Sequence, residues 1–99
     1  LGMIEFQAGR YEAAHGMVSR AIALGASEPG YFMNLGAILV KLGRFGDAEA
    51  AFREAIARDP RYGDPYYDLG NLYLSLGRAD DAVGVFDACM AARGRDYHA

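Results

Sequence analysis

The chain has 99 residues, 53% of them hydrophobic and 23% charged, a balance that fits one small folded domain and argues against disorder. A net charge of −3 with no run of basic residues argues against a nucleic-acid partner, because phosphate backbones need clustered positive charge. No apolar run approaches the ~18 residues of a membrane span, and Cys89, the only cysteine, can form neither an internal disulfide nor a cysteine zinc site.

Leu1 stands in place of an initiator methionine, so the chain reads as a processed or truncated piece, and the lone cysteine suits a reducing, cytoplasmic compartment. Leu1-Gly2 opens a pattern that returns at Leu35-Gly36 and Leu69-Gly70, 34 residues apart each time. Gly9-Arg10, Gly43-Arg44 and Gly77-Arg78 keep that spacing, as do Ala14, Ala48 and Ala82. A fixed period of this length marks a repeat array built by stacking identical units.

Residues 1–28 read as a partial repeat. A shortened helix to Ala8 is expected to stop at Gly9, since glycine adopts the left-handed conformation that ends helices. A second helix carries Tyr11, Ala14, Val18, Ala21 and Ile22 at helical spacing and ends near Leu24. Residues 29–62 form a complete repeat. Pro29 suits a first helical turn, where its missing N–H is not needed. Phe32, Leu35, Gly36, Leu39 and Leu42 make one apolar stripe and Met33, Ala37 and Val40 another, so this helix expects neighbours on two sides. Gly43 closes it, and Phe45, Ala48, Phe52, Ala55 and Ile56 give the next helix its buried face up to Asp59-Pro60. In residues 63–96, Asp64-Pro65 reads as N-cap and first helical residue, and Tyr66, Leu69, Gly70, Tyr73 and Leu76 repeat the first stripe. Gly77 then precedes Ala82, Val85, Phe86, Cys89 and Met90, and the polar residues 93–99 are expected to fray. The pattern predicts six helices in three antiparallel hairpins.

Phe32-x2-Leu35-Gly36-x2-Leu39, Ala48-x3-Phe52 and Pro60 together resemble the tetratricopeptide repeat, and Tyr66-x2-Leu69-Gly70-x2-Tyr73 with Ala82-x3-Phe86 resembles it again. The resemblance implies an all-α solenoid of about three hairpins with a right-handed superhelix, forming a single domain over residues 1–99. Gly36, Ala48 and Ala55 keep side chains short where helices cross. The departures lie at the ends: Glu5 replaces a large apolar residue, Ala26 and Gly94 replace proline, and Ala79 replaces the aromatic seen as Tyr11 and Phe45. A related RNA-reading repeat would be basic, and this chain is acidic.

No catalytic constellation appears, and the expectation is a non-enzyme with no cofactor and no metal. His15 and His98 are too few for a zinc site. Cys89 falls where the other repeats place Ala21 and Ala55, as a small core residue. Asp80, Asp81, Glu49 and Arg53 read as ordinary helix-surface charges.

The resemblance implies a concave groove lined by the first helices of the hairpins, which holds a peptide or partner protein. Carried over, that groove comprises Met3, Phe6, Gln7, Met33, Asn34, Ala37, Lys41, Asp64, Tyr67, Asp68, Asn71 and Ser75. Asn34 and Asn71 can hydrogen-bond a backbone amide in both directions. Members of the family that grip chaperone carboxylate tails use Lys, Asn and Arg. Asn34 matches one of these, but Met3 stands where another Asn is expected, and Asp64 and Asp68 stand where cations are needed. A neutral or basic extended peptide is therefore the expected partner, with no nucleic acid and no membrane. Two other readings are a self-assembling module, a homo-oligomer through uncapped terminal hairpins, and the repeat segment of a larger enzyme.

Overall fold

The computed structural model describes the backbone of residues 2–97 and the side chains of residues 9–94. Its elements are five helices, α1 (Gly2–Ala23), α2 (Pro29–Lys41), α3 (Phe45–Arg58), α4 (Asp64–Ser75) and α5 (Ala79–Tyr97), with no strand among the described residues. α2 pairs with α3 and α4 with α5 as two hairpins; α1 packs on α2, α3 packs on α4, and α2 also touches α4. The chain measures 50 × 34 × 18 Å, its smallest dimension being close to two helix diameters.

The two tight turns follow from glycine. Gly43 and Gly77 take φ of +75° and +74°, which L side chains adopt only under strain. Each sits in the same pattern of reversed hydrogen bonds. Gly43 N–H bonds Val40 C=O at 3.0 Å and Arg44 N–H bonds Leu39 C=O at 2.9 Å; Gly77 and Arg78 bond Leu74 and Tyr73 at 3.1 and 2.8 Å. These bonds satisfy carbonyls that the helix end would otherwise leave open.

The first hairpin departs from expectation. α1 runs unbroken through Gly9, so the array has five helices where the pattern predicted six. The physical reason lies in the packing that closes the other turns. An added Cβ at Gly36 would lie 2.5 Å from the ring of Phe52, and one at Gly70 would collide with the ring of Phe86. In the first repeat the aromatic's place is taken by Val18, and Glu5 replaces a large apolar residue. With no ring to clamp one helix on the other, a continuous helix keeps its i→i−4 bonds and nothing offsets their loss at a turn.

Two smaller boundaries also move. Asp64 is the first helical residue and Gly63 the cap, with no side-chain cap bond. α5 continues to Tyr97, into the polar segment expected to fray.

The core lies in the second and third repeats. Leu39, Ala48, Ala51, Phe52, Tyr66, Leu69, Leu72, Tyr73, Ala82, Val85 and Cys89 form one buried cluster, while no described residue of α1 is buried. Ala48 and Ala55 are fully buried where α3 crosses α2, as small residues there require. Polar tethers fix the loops: Tyr66 donates its hydroxyl to the Pro60 carbonyl at 2.6 Å, and Arg58 reaches Ser27 C=O while its guanidinium lies 4.6 Å from the Phe32 ring centroid.

Candidate functional site

α2 and α4 lie side by side and enclose an open cleft of about 300 Å³ lined by Ala37, Val40, Lys41, Phe52, Asp68, Asn71, Leu72 and Ser75. Five of the expected groove residues, Ala37, Lys41, Asp68, Asn71 and Ser75, therefore share one wall-to-wall space. Helical spacing explains the grouping: Asp64, Asp68, Asn71 and Ser75 fall at i, i+4, i+7 and i+11, one face of α4. Ala37 and Lys41 stand one turn apart on α2. Val40, Phe52 and Leu72 form an apolar floor, of which Val40 and Phe52 belong to the apolar stripes of the sequence and Leu72 to none of them.

The other expected residues are dispersed. Asn34 is exposed and lines a separate shallow depression with Glu28, Gly30 and Tyr31. Met33 packs against the core cluster. Tyr67 is 56% exposed, its ring 5.9 Å from that of Phe86 at an interplanar angle of 43°. Asp64 is exposed at the start of α4. Met3, Phe6 and Gln7 belong to α1, but their side chains lie outside the described residues.

The electrostatics of the cleft are uneven. Burial, and then the neighbouring Asp64 carboxylate, push the Asp68 carboxyl above its ordinary range. Burial and the same aspartates raise the Tyr62 phenol. Lys41 supplies positive charge from α2.

A second polar cluster was not legible as such. Glu49 and Arg53, expected to be ordinary surface charges, meet Tyr73 of the next repeat: Tyr73 OH donates to Glu49 Oε1 at 2.6 Å and accepts from Arg53 Nη2 at 2.5 Å. Arg78 Nη1 reaches Glu49 Oε2 at 3.5 Å, and its guanidinium lies 4.5 Å from the Tyr73 ring centroid. The one available signal was Tyr73 itself, a phenol where the preceding repeat has Leu39. Among the described residues no group of three or more His, Cys, Asp or Glu side chains could hold a metal ion, Cys89 is a buried free thiol, and no helix is long and apolar enough to cross a membrane.

A family model described as the tetratricopeptide repeat matches residues 1–60 and again 33–96. Among solved structures, the crystal structure of MamA superposes with a TM-score of 0.82 at 24% identity, over 95% of this chain and 55% of that one. The chain thus spans little more than half the length of MamA, and the likeness is one of fold. No curated protein matches the sequence.

Proposed function

Since the chain belongs to the tetratricopeptide repeat family, we propose that it is a non-catalytic interaction module holding an extended peptide or a segment of a partner protein in the groove between its first helices. The observation that carries this reading is the cleft between α2 and α4. It combines an apolar floor of Val40, Phe52 and Leu72 with hydrogen-bonding side chains at its rim, Asn71 and Ser75, the mixture that peptide recognition requires. Asn71 is exposed, and its amide can donate to and accept from a peptide backbone at once. Tyr67 adds an exposed aromatic surface on the same helix. A carboxylate-tailed partner fits poorly, because Asp64 and Asp68 occupy the end of α4 where such a tail would need cations.

The test is affinity capture by the wild-type chain against Asn71→Ala and Tyr67→Ala variants, with bound proteins identified and binding of the strongest remeasured in purified form. Loss of a purified partner on Asn71→Ala, with unchanged circular dichroism, supports the groove. A partner held equally by both variants places recognition elsewhere.

A second reading rests on α5. Val83 and Met90 are 57% and 71% exposed, whereas the positions they repeat on α3, Glu49 and Ile56, are half-buried beneath α4. An uncovered apolar helix face favours self-association.

A further inference from the structure

We infer that the cleft between α2 and α4 is the anchor pocket for one basic side chain, lysine or arginine, of an extended partner segment, with Asp68 as its counterion; this rests on the groove reading above.

The argument begins with what the two aspartates lack. Asp47, Glu49, Glu54 and Asp81 each hold an arginine of this chain, whereas among the described residues neither Asp64 nor Asp68 has a cationic partner. Four residues apart on one helix face, they repel each other. Burial adds to that repulsion at Asp68, whose carboxyl is raised above its usual range for both reasons. A cation placed at the cleft would relieve both costs.

The acids are not part of what the repeat needs to fold. The positions that Asp64 and Asp68 occupy are filled in the preceding repeat by Gly30 and Asn34, and that hairpin closes in the same way. Their chemistry is specific to the third repeat, and Asp68 lines the cleft while Asp64 lies one turn before it on the same helix face.

The remaining lining selects the shape of the cation. A lysine or arginine carries an apolar stem under a charged head, and such stems lie along apolar surface while the head stays polar. Exposed Ala37 and half-buried Val40 offer that surface in the cleft that Asp68 lines, over the buried Phe52 and Leu72. About 300 Å³ is at the lower end for ligand pockets, which suits one side chain better than a compact ligand. Lys41, on the opposite helix, repels the charged head from the α2 side and leaves Asp68 as its seat. Asn71, one turn on from Asp68, is placed to hold the backbone of the residue that bears the anchor.

The experiment is selection of a random displayed-peptide library on the purified chain, repeated on Asp68→Asn and on Asn71→Ala, followed by affinities for the best peptide and for its lysine-to-norleucine analogue. The expected result is enrichment of one basic position on the wild type. Replacement by norleucine should weaken binding about tenfold or more, as loss of a charge-assisted contact does. On Asp68→Asn that difference should shrink to within about twofold. If norleucine binds as well as lysine, or if the basic preference survives Asp68→Asn, the anchor inference is overturned while the groove reading stands. If no peptide is enriched, or if enriched peptides ignore Asn71→Ala, the groove reading fails and the anchor with it.

Discussion

The hydroxyl of Tyr73 on α4 and the carboxylate of Glu49 on α3 meet at 2.6 Å, joining one repeat to the next through a polar bond set in an apolar seam. The bond sets the Glu49 acidity. Its carboxyl is held below the ordinary glutamate range, first by the Tyr73 hydroxyl, against the opposing effect of burial, with Arg53 and Arg78 assisting. In the unfolded chain Glu49 takes up its proton within the ordinary range; folded, it does so only below it. The stabilisation is therefore complete above that range and lost as pH falls through the folded value. Tyr73→Phe should cost about 1–3 kcal/mol at neutral pH and should flatten the acid side of the stability–pH curve. Urea unfolding at neutral and acidic pH reads both; equal losses at the two would contradict the link.

Asp68 carries the opposite sign. Its folded carboxyl is raised, so the folded chain binds the proton more tightly than the unfolded one, and stability falls as pH rises through the folded value. Asp68→Asn should stabilise the free protein at neutral pH, by about 0.2–0.5 kcal/mol from the removed repulsion with Asp64 alone. The gain should vanish at acidic pH. A destabilised variant at neutral pH would mean that Asp68 has an internal role.

Gly36 and Phe52 form one unit. Gly36→Leu, or even Gly36→Ala, places a carbon into the Phe52 ring and should cost about 1–3 kcal/mol or more, and Phe52→Ala about 3–5 kcal/mol. In a Phe52→Ala background, Gly36→Ala should cost much less, because the collision is gone. Thermal melts of the four proteins give the coupling directly; strict additivity would show that the two residues do not touch.

The three equivalent glycines should respond differently to alanine. Gly43→Ala and Gly77→Ala force a side chain into left-handed backbone and should each cost about 1–2 kcal/mol. Gly9→Ala lies inside a helix with no neighbour within 4 Å of the new carbon, and should stabilise by about 0.5–1 kcal/mol. Chemical denaturation of the three variants checks it. A destabilising Gly9→Ala would restore the turn that the repeat pattern leads one to expect.

Self-association through α5 is tested by multi-angle light scattering over a concentration series. Val83→Lys and Met90→Lys should leave a monomer unaltered and dissociate an oligomer built on that face.

The hairpins α2–α3 and α4–α5 were legible because their stripes and turn glycines recur in register, and each is a local property of the chain. What α1 does was hidden, since Gly9 carries the same marker as Gly43, and the difference lies in Val18 standing where Phe52 and Phe86 clamp their hairpins. The cleft was half legible. Its rim residues were among those the family resemblance implied, but Val40 and Phe52 of its floor stand in stripes that look like any core and Leu72 in none, and which residues border a cleft depends on how far apart two helices sit. The Glu49–Tyr73 bond was invisible for a related reason: it joins residues of different helices, and no local pattern records it.

The helices are not equally held. Among the described residues α1 touches only α2, and none of its side chains is buried, whereas α2, α3 and α4 each have at least two neighbouring helices. Backbone amides of residues 10–23 should therefore exchange with deuterated solvent through local opening well before those of α3 and α4, which need the whole stack to come apart. Such a gradient opens the chain first at α1, since α5, which also has a single neighbouring helix, is anchored by buried Ala82, Val85 and Cys89, and it leaves the α2–α4 seam among the last parts to open.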